Sequence, residues 1–230
     1  MGWQSQRNGK TIQEIFEAIL AKILNEKVNI HGSSRTDAGV HAKGFVAHFT
    51  TKSRLTDTKL RDALNHYLPR DIVVLSAKTM RGPFHARFMA TSKTYEYCIW
   101  NHPTRPSYER APFVLWVPRK LNVSLMKKAA RHLVGKHDFN AFRDSGEEDR
   151  RTVKHLKKCS VSKSGPLISI RVTANGFLKH MVRIIAGTLI DVGRGKLFHG
   201  HMITLLKSKD RKKSGSTIKP HGLTLLKVGY

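Results

Sequence analysis

The chain has 230 residues, 40% of them hydrophobic, enough to bury the core of one large domain or two small ones. Its 42 Lys and Arg against 16 Asp and Glu leave a formal charge of +26, far more than solubility asks for, which points to a polyanionic partner whose phosphates release counterions when neutralised. No apolar run approaches the ~20 residues of a membrane span and no basic amphipathic helix stands out, so no membrane partner is expected.

In chain order, residues 12–25 predict an amphipathic helix. Ile12, Ile15, Phe16, Ile19, Leu20, Ile23 and Leu24 fall on one stripe, and Thr11 with Glu14 forms a capping box. Lys43–Thr50 reads as a strand, 57–67 as a second helix, and Asp71–Lys78 as a strand rich in Ile and Val. A further strand spans 93–100, its alternation placing Tyr95, Tyr97 and Ile99 on one face. After a proline-containing loop, a helix is expected at 123–135. Thr152–Val161 and Leu167–Ala174 read as a hairpin, and Asn175-Gly176 as the opening of a long apolar helix ending near Gly193. Lys207–Lys219 is basic and Ser-containing and reads as a mobile segment. Leu223–Val228 closes the chain as a strand.

This order lacks the regular βαβ rhythm of a parallel sheet, so an α+β fold with mainly antiparallel sheets flanked by helices is expected. A cut near residue 90 divides it into lobes 1–90 and 91–230. Cys98 and Cys159 form no CxxC pair, which leaves zinc and disulfide frameworks without support, and both read as small side chains packed in strands. The thirteen His are scattered, so no metal site is expected. No secretory or transit signal stands out, which predicts a soluble intracellular protein of unresolved compartment. Gly9-Lys10-Thr11 lacks the glycine and the preceding strand of a phosphate-binding loop. Gly193-Arg194-Gly195-Lys196 follows a helix and reads as a helix stop, and there is no GxSxG or HExxH.

One loop changes the reading. Asp37, two residues before Gly39, would alone be an ordinary turn former. The whole string Arg35-Thr36-Asp37-Ala38-Gly39-Val40-His41-Ala42, however, resembles the signature of the TruA family of tRNA pseudouridine synthases. The resemblance continues in order through Gly2-Trp3-Gln4, Phe84-His85-Ala86-Arg87-Phe88, Lys93-Thr94-Tyr95-Glu96-Tyr97 and His137-Asp138-Phe139 with Phe142-Arg143. It then runs through Phe177–Arg183 with Val192–Gly195, and Gly222-Leu223-Thr224-Leu225 to Tyr230.

That resemblance implies a two-lobed fold with the active-site cleft between the lobes, and the isomerisation of specific tRNA uridines without metal or redox cofactor. It implies Asp37 as nucleophile, Arg35 holding the flipped-out base, Tyr95 packing on the uracil and Leu223 lining its pocket. Arg87 and Lys93 would be RNA contacts, tRNA the partner and a homodimer the assembly. Arg183 has a physical argument of its own. It lies among Met181, Val182, Ile184, Ile185, Leu189 and Ile190, and a buried Arg needs an anionic partner. The resemblance implies that this partner is Asp37, whose ionised form a neighbouring cation favours. Lys207, Lys209, Arg211, Lys212 and Lys213 are candidates for phosphate contacts.

The pattern departs from the family twice. Ser34 replaces a usual Gly, costing roughly 1 kcal/mol if its φ is positive. The family's strand before Gly-Trp-Gln does not precede Gly2, as in an N-terminally shortened member. A ribosomal-type structural RNA-binding protein would fit size and charge but would not require Asp37, Tyr95 and Arg183 together. A catalytically impaired family member would bind tRNA without turnover.

Overall fold

The computed structural model describes residues 2–5, 11–144 and 151–230; Gly9 and Lys10 of the incomplete phosphate-loop pattern lie outside them. Along the chain run α1 (Ile12–Leu24), β1 (His31–Gly32), β2 (His41–Ala42), β3 (Ala47–His48), α2 (Asp57–Tyr67), β4 (Ser92–Trp100), β5 (Leu115–Trp116) and α3 (Val123–Arg131). There follow β6 (Gly135–Asp138), β7 (Val153–Ser164), β8 (Leu167–Ala174), α4 (Met181–Gly193), α5 (His201–Ser208) and β9 (Leu223–Gly229). The fold class is α+β, as expected. The chain divides into two compact units, Met1–Gly39 with Phe45–Ala90, and Val40–Gly44 with Thr91–Tyr230. Among the described residues no helix is long and apolar enough to cross a membrane.

In the first unit, α1 begins on the capping box read from the sequence. The Thr11 N–H donates to Glu14 Oε2 at 2.9 Å and the Glu14 N–H to Thr11 Oγ1 at 3.4 Å. The apolar stripe of α1 packs with Trp3, Val28, Ile30, Leu64 and Leu68 into one core, joined by Phe16 and Phe45. Among its described residues, paired strand backbone is scarce. β1 and β3 match only His31 with His48 and Gly32 with Ala47, so the strand expected at 43–50 shrinks to two residues. Asp71–Lys78 forms no strand. Its alternation is real, with Ile72 and Val74 against the core and Val73 and Leu75 exposed. Val74 bonds a side chain of α2 where a strand would bond its neighbour, and the Ile72 N–H donates to the Pro69 carbonyl at 2.9 Å. Asn65 Nδ2 donates to the Val74 carbonyl at 2.9 Å and Asn65 Oδ1 accepts from the Val74 N–H at 2.8 Å.

The second unit is built on a seven-stranded sheet, ordered β2-β9-β4-β8-β7-β6 with β5 alongside the end of β4. The long pairs, β4–β8, β4–β9 and β7–β8, are antiparallel, and the short β2–β9 and β4–β5 pairs are parallel, so the sheet is mixed. α4 packs on β4, and α3 on α4 and β7. α4 starts five residues later than its apolar run suggests, because His180 at its N-cap is left-handed (φ 59°). Asp144 ties down this turn, lying 3.1 Å from His180 Nδ1 and 3.4 Å from Lys179 Nζ.

Candidate active site

The loop carrying Asp37 is held from its flanks. Ser33, fully buried, donates its N–H to the Val46 carbonyl at 2.8 Å, and its Oγ accepts from the Val46 N–H at 3.3 Å. The Trp3 N–H donates to the Thr36 carbonyl at 3.2 Å. Gly39 closes the turn at φ +77°, where a side chain would be strained. Between these anchors Asp37 is half-buried and Arg35 exposed. Ser34 is not among the residues with positive φ, so the strain considered for it is absent. The second half of the signature belongs to the other unit. His41 pairs with Thr224 and Ala42 with Leu225, the Lys43 N–H donates to the Leu225 carbonyl at 2.8 Å, and His41 Nε2 lies 2.8 Å from the Pro112 carbonyl.

In the second unit, Tyr95 and Tyr97 on β4 face across to Leu225 and Leu223 on β9, and all four are buried. The register slips at Leu226, which is left opposite no β4 residue. Such bulges re-aim side chains and recur beside active sites. Tyr95 meets the Phe177 ring edge-on, with centroids 5.2 Å apart. The Tyr97 hydroxyl donates to the Lys219 carbonyl at 2.6 Å. Burial raises its pKa well above the ordinary tyrosine range despite the opposing charge of Arg183, so it serves as a neutral donor. Arg183, half-buried, donates Nε–H to the Ile218 carbonyl at 2.7 Å. Tyr95, Leu223 and Arg183 thus gather around Tyr97, whereas Asp37, Arg35 and Arg87 belong to the first unit. Arg87 is exposed next to Phe88, and Lys93 is half-buried on β4.

Sequence reasoning missed the inward role of the basic segment before β9. Arg211 turns into the protein, donating to Ser214 Oγ, the Gly215 carbonyl and Thr217 Oγ1 at 2.8, 3.0 and 2.9 Å. Lys209 caps α5 and lies 3.0 Å from Asp138. Two of the five expected phosphate contacts therefore have internal partners, while Lys207, Lys212 and Lys213 are exposed. Nothing in a Lys- and Ser-containing run distinguishes an inward Arg from a solvated one.

Also in the second unit, a cleft of about 500 Å³ is lined by Pro118, Arg119, Lys120, Arg194 and Lys196. Its walls are fixed. Asn101, buried, donates to the Val117 and Arg119 carbonyls at 2.9 and 2.7 Å, and the Asn122 N–H reaches the Gly193 carbonyl at 2.8 Å. Asp191 lies 3.8 Å from Arg194 and 4.0 Å from Lys196, so its carboxylate meets two of the four cations that line the cleft. Sequence reasoning did not single out this cleft, since Arg119-Lys120 and Arg194–Lys196 are more than 70 positions apart.

In the first unit, His31, His48 and His85 form a ring cluster with centroids 4.5 to 5.9 Å apart. Among the described residues no three His, Cys, Asp or Glu are placed to hold a metal ion. The cysteines are packed strand residues. Burial pushes the Cys159 thiol up to about 12, and burial with the neighbouring Glu96 pushes Cys98 up to about 11.

A family model described as tRNA pseudouridine synthase matches residues 2–89 and 129–230. The chain is similar to "tRNA pseudouridine synthase A" of Thermoanaerobacter sp. (strain X514), at 44% identity over 234 residues, covering 100% of this chain and 93% of the relative. It is also 44% identical, with the same coverage, to "tRNA pseudouridine synthase A 2" of Clostridium perfringens (strain 13 / Type A). A "tRNA pseudouridine synthase A" of Clostridium kluyveri is 40% identical with that same coverage.

Proposed function

This chain belongs to the tRNA pseudouridine synthase family, and from that premise we propose that it converts uridines of tRNA to pseudouridine with Asp37 as nucleophile. The observation that carries the site assignment is the lacing of the signature to the uridine-side strands. His41, four residues after Asp37, pairs with Thr224, next to Leu223. Tyr95 pairs with Leu225 of the same strand, and Arg183 bonds Ile218, five residues before that strand begins.

The reaction breaks the bond between the uridine ribose C1′ and base N1, and forms one between C1′ and base C5. C5 loses its proton and N1 gains one, so the product is an isomer. A carboxylate nucleophile divides this exchange into two easier steps. The role proposed for Arg183 is that of the cation favouring the ionised nucleophile, and its Nε–H donates to the Ile218 carbonyl at 2.7 Å. Tyr95 and Leu223 give the uracil one aromatic and one aliphatic wall. The base leaves its stack at a cost of a few kcal/mol, and Arg35, on the exposed face of the loop, fills the space it vacates. Exposed Arg87 and half-buried Lys93 add RNA contacts. The cation-lined cleft lies at the end of α4 opposite Arg183, eleven residues or roughly 16 Å along the axis, where it meets the backbone of the same RNA.

The test is to map pseudouridine in unmodified tRNA after incubation with the purified protein and no added cofactor. Conversion at defined uridines is expected. A folded, tRNA-binding protein that converts none would leave only the impaired-homologue reading.

A further inference from the structure

The segment 214–219 crosses α4 as a strap and carries the Ile218 carbonyl, which accepts from Arg183 Nε at 2.7 Å. At its start the Gly215 N–H donates to Thr188 Oγ1 at 3.0 Å, while Thr188 donates to the Ile184 carbonyl at 2.8 Å. Gly187 lets the strap come close, because a Cβ there would collide with the Ser216 carbonyl. At its end the Tyr97 hydroxyl holds the Lys219 carbonyl. Between these two pins the strap passes Thr217 and Ile218, and Arg211 bonds it at Ser214, Gly215 and Thr217, next to Ile218, with two of its nitrogens.

We propose that Arg211 is a positioning residue for the isomerisation, fixing the strap so that the Ile218 carbonyl orients the Arg183 guanidinium. This rests on the reading that Arg183 serves the reaction. A free Arg side chain samples many rotamers, and a fixed acceptor at Nε removes much of that freedom before substrate arrives. Arg211 suits the task because its planar fork reaches three acceptors at once, which a lysine ammonium on a flexible stem does not reproduce. Its acceptors are two hydroxyls and a carbonyl, so the bonds hold geometry rather than neutralise charge. Arg211 acts through Ile218 on Arg183 rather than on the substrate, and a misplacement of about 1 Å at a reacting centre costs on the order of 100-fold in rate.

The test is a double-mutant cycle of Arg211→Ala with Arg183→Lys, the latter keeping the charge but losing the Nε–H donor to Ile218. Turnover at saturating tRNA, KM and thermal midpoint are read for each variant. Arg211→Ala is expected to lower kcat by about tenfold or more with KM within about twofold, and Arg211→Lys to rescue little. On the Arg183→Lys background, Arg211→Ala is expected to change kcat by no more than about twofold, because the link it serves is already gone. Multiplying losses would overturn the proposal and make Arg211 a general fold-stabilising residue. A raised KM with unchanged kcat would overturn it in favour of a phosphate contact. Wild-type kcat in Arg183→Lys with a tenfold loss in Arg211→Ala would overturn the link to Arg183 alone. Wild-type kcat in Arg183→Leu would instead remove the underlying reading of Arg183.

Discussion

Among the described residues of the first unit, paired strand backbone amounts to two residues on each of β1 and β3, whereas in the second unit β4 is paired along its length with β8 and β9. The first unit makes up the difference with side chains. Ser33 Oγ, Asn65 and the imidazole of His48 each take a backbone partner that a neighbouring strand would otherwise supply. In the second unit side-chain bonds add to the ladder, fixing the turn before α4, the strap across it and, through Asn101, the loop before α3. Asp37 therefore sits on the unit whose geometry depends on individual side chains, and Tyr95 and Leu223, the proposed uridine walls, sit on the ladder. Regions with few paired amides and much side-chain support open at lower free energy than core strands, so the first unit is expected to open first.

The largest break in that comparison is Trp3→Ala. Trp3 is 6% exposed and packs on Phe45 and Phe16, with centroids 4.2 and 6.2 Å away. Its loss should cost about 3–5 kcal/mol. Amide hydrogen exchange should then accelerate through α1, α2 and the Asp37 loop while β4, β7 and β8 keep their protection. Equal acceleration in both units would mean that they unfold as one.

A smaller effect concerns pH. His48 Nδ1 accepts from the Ala86 N–H at 3.2 Å, a role only the form unprotonated at that nitrogen can fill. Burial, then the charges of His85 and His31, lower its pKa below 6.5. Below 6.5 the unfolded chain thus binds the proton more readily, and stability falls as pH drops from 6.5 towards the folded-state value. First-unit protection should weaken over that window, and His48→Asn should flatten the slope. An unchanged slope in the variant would assign the pH dependence elsewhere.

How far these features were legible depends on how local they are. α2 and the 3.6-residue stripe of α1 emerged from neighbours in sequence, as did the alternation of β4 with Tyr95, Tyr97 and Ile99 inward. Asp71–Lys78 alternates just as a strand does, but a strand also needs a partner, and alternation carries no information about one. The left-handed His180 that delays α4 is set by Asp144, 36 positions earlier. The inward turn of Arg211 was equally hidden, since its acceptors, Ser214, Gly215 and Thr217, are brought to it by the path of the strap over α4. Asp37 was legible only because eight consecutive residues matched a signature.

The smallest expected effect sharpens the other side of the comparison. Lys120→Glu with Arg194→Glu should leave hydrogen exchange in the second unit unchanged, because the ladder and Asn101 hold the cleft. It should weaken tRNA binding and make the salt slope of log K shallower by about 0.7–0.9 for each phosphate that is no longer neutralised. An unchanged slope would remove the cleft from the RNA-binding surface.

The most direct measurement of the central claim compares wild type with Asp37→Asn on unmodified tRNA, scoring pseudouridine site by site together with tRNA affinity and thermal midpoint. Asn keeps the size and turn preference of the side chain but supplies no ionised nucleophile. Affinity and midpoint should stay close to wild type while conversion disappears. Conversion by Asp37→Asn at the wild-type rate would contradict the assignment of the chemistry to Asp37.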